Sequence, residues 1–243
     1  MDVSVIIPTY NERANIGRLL KEVSSNLANA KLHYEIVVVD DNSQDGTADI
    51  VRNIARSTHT KLISRKQKAG IGTAYQAGIR NSCGDIIITM DADLSHDPVV
   101  IQSMVEEIRR GNDIVIGSRY TQGGRIESWS LYRRIVSKTA NKFAKLVLRL
   151  HTNDLTSGYR AYGRNALRKT RFDKLTSTGY SILMETVFRA ENARLKIKEI
   201  PITFCDRTRS NSKLSNSEKF RYLITVLNLK LGIVQQKIRG MHQ

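Results

Sequence analysis

Cysteine is scarce in this sequence, with only Cys83 and Cys205 among 243 residues. Two cysteines cannot build a disulfide framework, and no leader-like segment precedes the first apolar run, so we expect a reducing compartment. We expect both cysteines to be plain packing residues. A cluster of Cys and His suited to zinc is absent as well. At 40% hydrophobic composition, a chain of this length can bury a full core without cross-links.

Long uncharged apolar runs are also missing. No stretch approaches the roughly 18–20 residues that a helix needs to cross a bilayer, so we do not expect an integral membrane protein from this chain alone. The sequence has no Ser/His/Asp frame and no nucleophile elbow. A covalent intermediate is therefore not predicted, and single displacement with inversion is favoured for any transfer chemistry.

Acidic residues are too few to balance the basic ones. There are 23 Asp and Glu against 39 Lys and Arg, which gives a net charge of +16. Residues 119–171 carry +11 and residues 205–243 carry +6, whereas the remainder sums to −1. Surplus charge confined to two segments indicates a polyanionic partner there, either nucleic acid or an anionic membrane. A solvated basic surface is the alternative.

Short apolar runs alternate with helix-like segments along the N-terminal half. The runs of strand length are Val3–Ile7, Glu35–Val39, Lys61–Ile63, Asp85–Thr89 and Asp113–Ile116. The segments with helical spacing of apolar residues are Ala14–Leu27, Gly46–Ala55 and Val99–Arg110. This alternation predicts a Rossmann-like α/β fold with a mostly parallel sheet flanked by helices. In such sheets, ligands bind beyond the carboxyl ends of the strands.

Three polar motifs fall at those ends of the strands. They are Pro8–Glu12 (PTYNE), Asp40–Thr47 (DDNSQDGT) and Asp91–Pro98 (DADLSHDP). The second motif can cap the helix that follows it. Capping does not explain the adjacent carboxylates of Asp40 and Asp41, which repel unless cations, ribose hydroxyls or base amino groups occupy them.

The third motif suits a metal ion. Asp91 and Asp93 stand two positions apart at the end of a strand, so their carboxylates can converge on one hard cation. Together with diphosphate oxygens they suit Mg²⁺ or Mn²⁺. His96 is the only histidine within the three motifs, and we expect a structural role for it.

In their order and spacing, the three motifs resemble the inverting GT-A glycosyltransferases of family 2. Residues 3–214 look like the branch of that family that includes the catalytic subunits of dolichol-phosphate mannosyltransferases. The further segments that carry the likeness are Gly117–Tyr120, Gly123–Gly124, Leu131–Lys138, Asp154–Arg160, Gly179–Tyr180, Met184–Glu185, Pro201–Phe204, Asp206–Arg207 and Ser212–Leu214. The resemblance implies a GT-A fold.

The resemblance also implies roles for individual residues. The nucleotide would be bound by Pro8, Tyr10, Glu12, Asp40 and Ala92. The metal would be held by Asp91 and Asp93, and weakly by Ser95. The acceptor phosphate would lie on Arg119, Arg133 and Ser137, because arginine offers a planar fork for phosphate oxygens. Catalysis would depend on Asp93, Arg119, Arg133 and Arg207, the last matching an arginine that reaches the donor diphosphate from a mobile loop in the family.

Three positions depart from the family pattern. Ser95 stands where Gln is usual and is shorter, so its metal contact would run through water or be absent. Asn211 stands where Gly often precedes Ser-Lys-Leu, which implies a stiffer loop. Asp97 replaces the first proline of a His-Pro-Pro stretch.

The reaction implied by the resemblance is inverting transfer of mannose from GDP-mannose to dolichyl or another polyprenyl phosphate. A phosphate monoester is mostly dianionic at neutral pH, so it needs no general base; Asp93 would be a base only for a hydroxyl acceptor. The alternative within the family is a UDP-glucose-dependent polyprenyl-phosphate glucosyltransferase. A nucleic-acid partner is not expected, because acidic pairs at the sheet edge repel phosphate unless metal is present.

Two later segments have the pattern of basic amphipathic helices. Leu131–Leu150 interleaves apolar residues with Lys and Arg, which favours a helix lying on a bilayer. The second has an apolar stripe formed by Phe220, Leu223, Leu227, Leu231 and Val234, for which core packing is an equal alternative.

We therefore expect a peripheral enzyme at the cytoplasmic face of a membrane, with a small membrane-protein subunit as a further partner. The expected division is a catalytic domain over residues 1–214 and a C-terminal amphipathic basic helix over 215–243. Within the catalytic domain, residues 1–118 would bind nucleotide and metal, and residues 119–214 would bind the acceptor.

Overall fold

Strands and helices alternate from the first residues of the chain onward. The computed structural model describes residues 1–177, 179–205 and 216–232. Its strands are β1 (Val3–Thr9), β2 (Tyr34–Asp40), β3 (Thr60–Ser64), β4 (Ile86–Thr89), β5 (Ile114–Ser118), β6 (Arg125–Glu127), β7 (Arg160–Gly163), β8 (Ile197–Pro201) and β9 (Thr203–Cys205). Its helices are α1 (Arg13–Asn29), α2 (Thr47–Ala55), α3 (Ile71–Arg80), α4 (Val100–Arg109), α5 (Leu131–Leu148), α6 (Arg164–Lys169), α7 (Ser181–Asn192) and α8 (Asn216–Lys230).

Most of the strands join one sheet, in the order β3-β2-β1-β4-β7-β5-β8. β1 pairs in parallel with β2 and β4, and the β2–β3 and β5–β8 pairs are parallel too. β7 runs antiparallel between β4 and β5. β1 is almost continuously buried, as expected for a strand covered on both faces. β6 and β9 form a separate parallel ribbon.

Side chains of the sheet alternate between two apolar clusters. In β1, Ile6 belongs to one cluster whereas Val5 and Ile7 belong to the other, because successive residues of a strand point to opposite faces. α1 covers the cluster of Val5 and Ile7 with its buried residues Ile16, Leu19, Leu20, Val23 and Leu27. α3, α5, α7 and α8 pack into the cluster of Ile6.

The predicted α/β architecture is confirmed. The five predicted strands and the three predicted N-terminal helices are present, with bounds shifted by at most two residues. The helix predicted over Leu131–Leu150 ends at Leu148, because Arg149 adopts a left-handed backbone with φ of 56°. The elements that were not predicted are α3, β6, β7, α6, α7, β8 and β9.

The expectation that both cysteines are packing residues is wrong. Cys83 and Cys205 are exposed free thiols. Cys83 follows the end of α3, and Cys205 ends β9, where its thiol donates to Glu127 Oε2 at 3.3 Å. Both cysteines lie at or just after the end of a helix or strand. Their exposure follows from that position and not from the polarity of the thiol.

The C-terminal helix buries a different face from the predicted apolar stripe. Tyr222, Val226 and Leu229 of α8 are buried in the core. The members of the stripe that the structure describes are exposed: Phe220 at 65%, Leu223 at 45%, Leu227 at 51% and Leu231 at 70%. The described residues of this stripe therefore do not pack into the core. Val234 lies outside the described residues. Within the described part of the chain, none of the helices has the length and apolarity required to span a membrane.

Candidate active site

The first two polar motifs are tied to each other at the carboxyl ends of β1 and β2. The amide of Asn11 donates to Ser43 Oγ, and that of Glu12 to Thr47 Oγ1, both at 2.9 Å. In return, the amide of Gln44 donates to Asn11 Oδ1 at 3.0 Å. These bonds fix the loop after β1 against the loop after β2.

Asp40 and Asp41 each receive protein donors. Asp40, 2% exposed, accepts from Thr9 Oγ1 at 2.8 Å and from both the amide and the hydroxyl of Ser43, at 2.9 and 2.6 Å. Asp41 forms an ion pair with Arg65. The repulsion between the two carboxylates is thus relieved within the protein, by the Arg65 cation and by the donors of Thr9 and Ser43, and the nucleoside contact of Asp40 stays a prediction. A carboxylate has about four lone-pair sites, so Asp40 retains capacity for a nucleoside hydroxyl.

The other predicted nucleotide residues surround this edge of the sheet. Pro8 lies in β1 opposite Val39 of β2, and Tyr10 and Glu12 follow in the loop. The Nζ of Lys68 lies 4.2 Å from the centre of the Tyr10 ring, a cation–π contact that the sequence did not reveal. Ala92, 4% exposed, lies between the two predicted metal ligands.

The loop after β4 is organised around two carboxylates. The phenol of Tyr75 donates to Asp91 Oδ1 at 3.3 Å. The amide and hydroxyl of Ser95 both donate to Asp93 Oδ1, at 3.1 and 2.5 Å. Leu94 between them has a left-handed backbone with φ of 64°, a conformation uncommon outside glycine. Ser95 thus orients Asp93; its predicted weak metal contact stays a prediction.

His96 is built into the same loop as an acceptor. Its Nδ1 accepts the amide of Asp91 at 3.1 Å, so that nitrogen carries no proton. The ring is stacked on Tyr159 with centroids 4.8 Å apart. Burial lowers the pKa of His96 against the opposing pull of Asp91 and Asp93, which keeps the ring neutral. These contacts agree with the structural role expected for His96.

The residues present fit a hard divalent cation. Asp91 and Asp93 line one cavity, and the described residues contain no cluster of three or more Asp, Glu, His or Cys side chains that would enclose a metal by themselves. Mg²⁺ typically takes one or two carboxylates and completes its shell with substrate phosphates and water. Two oxygen ligands facing an open cavity match that requirement.

Arg119 is held deep in the protein by Asp154. Its Nε and Nη2 donate to the two oxygens of Asp154 at 2.8 and 2.7 Å, and Nη2 also reaches Thr156 Oγ1 at 2.7 Å. Burial alone would lower the pKa of Arg119, but the Asp154 carboxylate outweighs it and raises the pKa above its ordinary value. For Asp154, burial is likewise outweighed by Arg119, and its pKa is lowered. Both groups are therefore charged at neutral pH.

Arg133 and Ser137 lie on the first two turns of α5. The Cζ of Arg133 lies 4.0 Å from the ring centre of Trp129. Ser137 Oγ accepts the phenol of Tyr120 at 2.7 Å. The Cζ of Arg119 lies 5.4 Å from the centre of the Trp129 ring, so the two predicted acceptor arginines lie around one indole.

A single cavity of about 840 Å³ joins these groups. Its polar part contains Asp91, Asp93, Arg119, Arg133 and Ser137. Its apolar part is formed by Ile135, Val136, Ala140, Phe143, Tyr222 and Leu223, from α5 and α8. The predicted metal and acceptor residues therefore share one space, which opens along an apolar wall. Arg207 and Asn211 lie outside the described residues.

Sequence reasoning assigned no role to several residues that position the groups of this cavity. Tyr75 carries no local signal, and Asp154 and Gly158 were named only within the segment Asp154–Arg160 that carries the family likeness, because the partners Asp91 and Arg119 are distant in sequence. Gly158 leaves room for Asp91: a Cβ there would lie 3.3 Å from Asp91 Oδ1 and 3.0 Å from the Tyr75 phenol oxygen.

Comparison with known proteins decides the family. The model of glycosyl transferase family 2 matches residues 4–171, more than half of the chain. The chain belongs to glycosyl transferase family 2. Within this family it is similar to a dolichol-phosphate mannosyltransferase from Pyrococcus furiosus, with 38% identity over 231 residues. That alignment covers 94% of this chain but 64% of the relative, so the chain spans just under two thirds of that protein.

A second family 2 relative is the polyprenol monophosphomannose synthase of Mycolicibacterium smegmatis. It is 38% identical over 219 residues, covering 88% of this chain and 81% of the relative. Among solved structures, glucosyl-3-phosphoglycerate synthase from Mycobacterium tuberculosis in complex with phosphoglyceric acid aligns with a TM-score of 0.71 at 19% identity, over 93% of this chain and 79% of that one. The same enzyme has been solved with Mn²⁺, UDP and glucosyl-3-phosphoglycerate, with a TM-score of 0.69 at 19% identity, over 95% and 80% of the two chains. At this identity the likeness concerns the fold, and the predicted GT-A fold is confirmed.

Proposed function

We propose that this chain transfers mannose from GDP-mannose to dolichyl or another polyprenyl phosphate, with inversion at the sugar carbon. The observation that carries the proposal is the shared cavity. It places two carboxylates suited to a metal, two arginines suited to a phosphate and an apolar wall suited to an isoprenyl chain around one space. The named activities of the two family 2 relatives support the same reaction.

The chain's own residues account for the acceptor side of the reaction. Arg119, fixed by Asp154, and Arg133, stacked on Trp129, offer guanidinium donors to the acceptor phosphate, and Ser137 offers a compact hydroxyl. The dianionic phosphate attacks the sugar carbon directly as the bond from that carbon to the diphosphate breaks. No side chain has to remove a proton, and the Nδ1 acceptor of His96 is already engaged by the amide of Asp91.

The donor side requires charge stabilisation on the leaving diphosphate. Mg²⁺ or Mn²⁺ bound at Asp91 and Asp93 would neutralise the charge that develops there. We propose that Ser95 orients Asp93, that Arg207 contributes a further cation, and that the base and ribose occupy the edge formed by Pro8, Tyr10, Glu12, Asp40 and Ala92. The donor half would end near residue 118.

A membrane surface would present the acceptor to this cavity. α5 exposes Leu131 at 73%, Tyr132 at 67%, Ile135 at 55%, Phe143 at 38% and Leu146 at 77%, next to the exposed stripe of α8. Soluble monomers rarely expose so many neighbouring large apolar side chains. Because α5 is also rich in Lys and Arg, we propose peripheral binding to an anionic, cytoplasmic leaflet, with a small membrane-protein subunit as a further partner.

The test is transfer of radiolabelled mannose from GDP-mannose to a short isoprenyl phosphate, with Mn²⁺ or Mg²⁺. Lipid-extractable label that requires metal and is lost in Asp93→Ala is the expected result. Asp97→Asn is the matched control, because Asp97 lies in the same loop but is exposed, and its side chain accepts the amide of Val99. Activity with UDP-glucose alone would move the assignment to a glucosyltransferase, and no transfer from either donor would refute a phosphate acceptor.

A further inference from the structure

Trp129 is the only tryptophan in the chain and lies where the two arginines of the cavity meet. It is 7% exposed and stands just before α5. Its ring centre is 4.0 Å from the Cζ of Arg133 and 5.4 Å from that of Arg119. Ser130, the N-cap of α5, accepts the amide of Arg133 on its Oγ at 3.3 Å, which fixes the turn between ring and guanidinium.

We propose that Trp129 is a positioning residue for the acceptor phosphate. Its ring holds Arg133 beside Arg119, in the arrangement that binds a phosphate monoester. The inference rests on the proposed function, because it assigns those two arginines to the acceptor. It extends that function to a residue that neither the motifs nor the charge pattern selected.

Arg119 and Arg133 line the same cavity, and two cations that converge on one site repel each other. Each arginine therefore needs a contact that holds it there. Arg119 has a fixed counterion in Asp154, with side chains 6% and 0% exposed. Arg133 lies on α5, four residues after Trp129, and its Cζ is 4.0 Å from the centre of that ring. The negative face of an indole attracts a guanidinium most strongly where water is excluded. Trp129 can therefore hold Arg133 in place before any phosphate arrives.

An aromatic row continues from Trp129 to the loop of the carboxylates. The Phe204 ring packs edge-on against Trp129 at 5.4 Å and against His96 at 5.6 Å. His96 in turn accepts the amide of Asp91. The arginine side and the carboxylate side of the cavity are thus connected through packed rings. Trp129 is the end of that row that contacts Arg133, whereas Arg119 lies 5.4 Å from both Trp129 and Phe204.

The experiment compares Trp129→Leu with Trp129→Phe, since phenylalanine keeps a ring and leucine does not. Initial rates give KM for a short isoprenyl phosphate and, separately, KM for GDP-mannose. We expect Trp129→Leu to raise KM for the isoprenyl phosphate about 30-fold, the size of a desolvated cation–π contact. Trp129→Phe should recover most of that loss, and KM for GDP-mannose should stay within about twofold in both, because the ring contacts arginines and not the nucleotide edge.

Calorimetric titration with the same isoprenyl phosphate, and with the matching isoprenyl alcohol, measures binding without turnover. Trp129→Leu should weaken binding of the phosphate and leave the alcohol unchanged. Phe172→Leu is the control for loss of a buried ring, because Phe172 is 2% exposed and lies outside the cavity. The proposal is overturned if Trp129→Leu binds the phosphate as the unmodified protein does, if both KM values rise together, or if Phe172→Leu has the same effect.

These outcomes separate the two proposals. If the unmodified protein binds isoprenyl phosphate and transfers mannose, and Trp129→Leu does so equally well, the role of Trp129 alone is refuted. An unmodified protein that neither binds isoprenyl phosphate nor transfers mannose would refute both.

Discussion

The guanidinium of Arg119 and the carboxylate of Asp154 form a two-point ion pair in the core, with side chains 6% and 0% exposed. Asp154 also accepts the amides of Arg119 and Ser157, both at 3.0 Å, so it ties the loop after β5 to the loop before β7. A group that orients a cavity arginine is therefore also a structural support.

Replacing Asp154 by Asn should destabilise the protein strongly. It would leave the Arg119 charge buried without its counterion, and breaking a buried pair in this way typically costs about 3–5 kcal/mol. Urea unfolding at pH 7 measures the change. Glu22→Gln breaks the exposed Arg18–Glu22 pair and should cost under about 1 kcal/mol. Equal losses of unfolding free energy in Asp154→Asn and Glu22→Gln would contradict the assignment of Asp154 as a buried counterion.

The same carboxylate should make stability depend on pH in the acid range. Burial is outweighed by Arg119, so the pKa of Asp154 lies below its ordinary 3.8 in the folded protein. A depressed folded pKa contributes stability that is fully present above 3.8 and is lost as pH falls through the folded value. The difference in unfolding free energy between the unmodified protein and Asp154→Asn should hence be constant from pH 7 to 5 and shrink on further acidification. A difference that grows on acidification would refute this sign.

Tyr75 should support metal binding through Asp91. Burial, followed by the Asp91 charge, raises the pKa of Tyr75 well above its ordinary 10.0, so the phenol keeps its proton and donates to Asp91 Oδ1. Loss of a partner that orients a ligand typically lowers metal affinity about 10–100-fold. Tyr75→Phe should accordingly weaken Mn²⁺ binding in the presence of GDP, measured by calorimetry. Tyr34→Phe, at the start of β2, should bind as the unmodified protein does, and unchanged binding in Tyr75→Phe would exclude this role.

Apolar runs predicted the central strands because those strands are buried on both faces, but the same reasoning missed α3 and β7. α3 contains Gly72 and Gly78, which weaken any helix pattern. Gly78 is needed there, since a Cβ would lie 2.3 Å from Ile6 Cγ2 in β1. Close packing of helix on sheet thus removed the signal by which the helix would have been recognised.

β7 was hidden for a different reason. It begins with Arg160, a charged residue that argues against a central strand, yet its side chain is fully buried. The guanidinium donates to the carbonyls of Leu155, Ser157 and Leu183, which replace water. Local pattern showed which residues of the site lie at strand ends, but the partners that orient them depend on contacts between segments that no spacing rule brings together.

Membrane binding should depend on the exposed apolar residues of α5 and α8. Leu146 is 77% exposed and Leu227 is 51% exposed, and burying a leucine side chain in an apolar medium is worth about 1.5–3 kcal/mol. Leu146→Glu combined with Leu227→Glu should therefore lower partitioning onto vesicles rich in anionic lipid by more than about tenfold, measured by co-sedimentation. Val99→Glu places the same charge on a residue that is 64% exposed at the start of α4, and it should partition like the unmodified protein. Because Lys and Arg accompany the apolar side chains on α5, binding should also weaken on uncharged vesicles and at high salt. Partitioning that is insensitive to the double substitution, or weakened equally by Val99→Glu, would exclude this surface as the membrane contact.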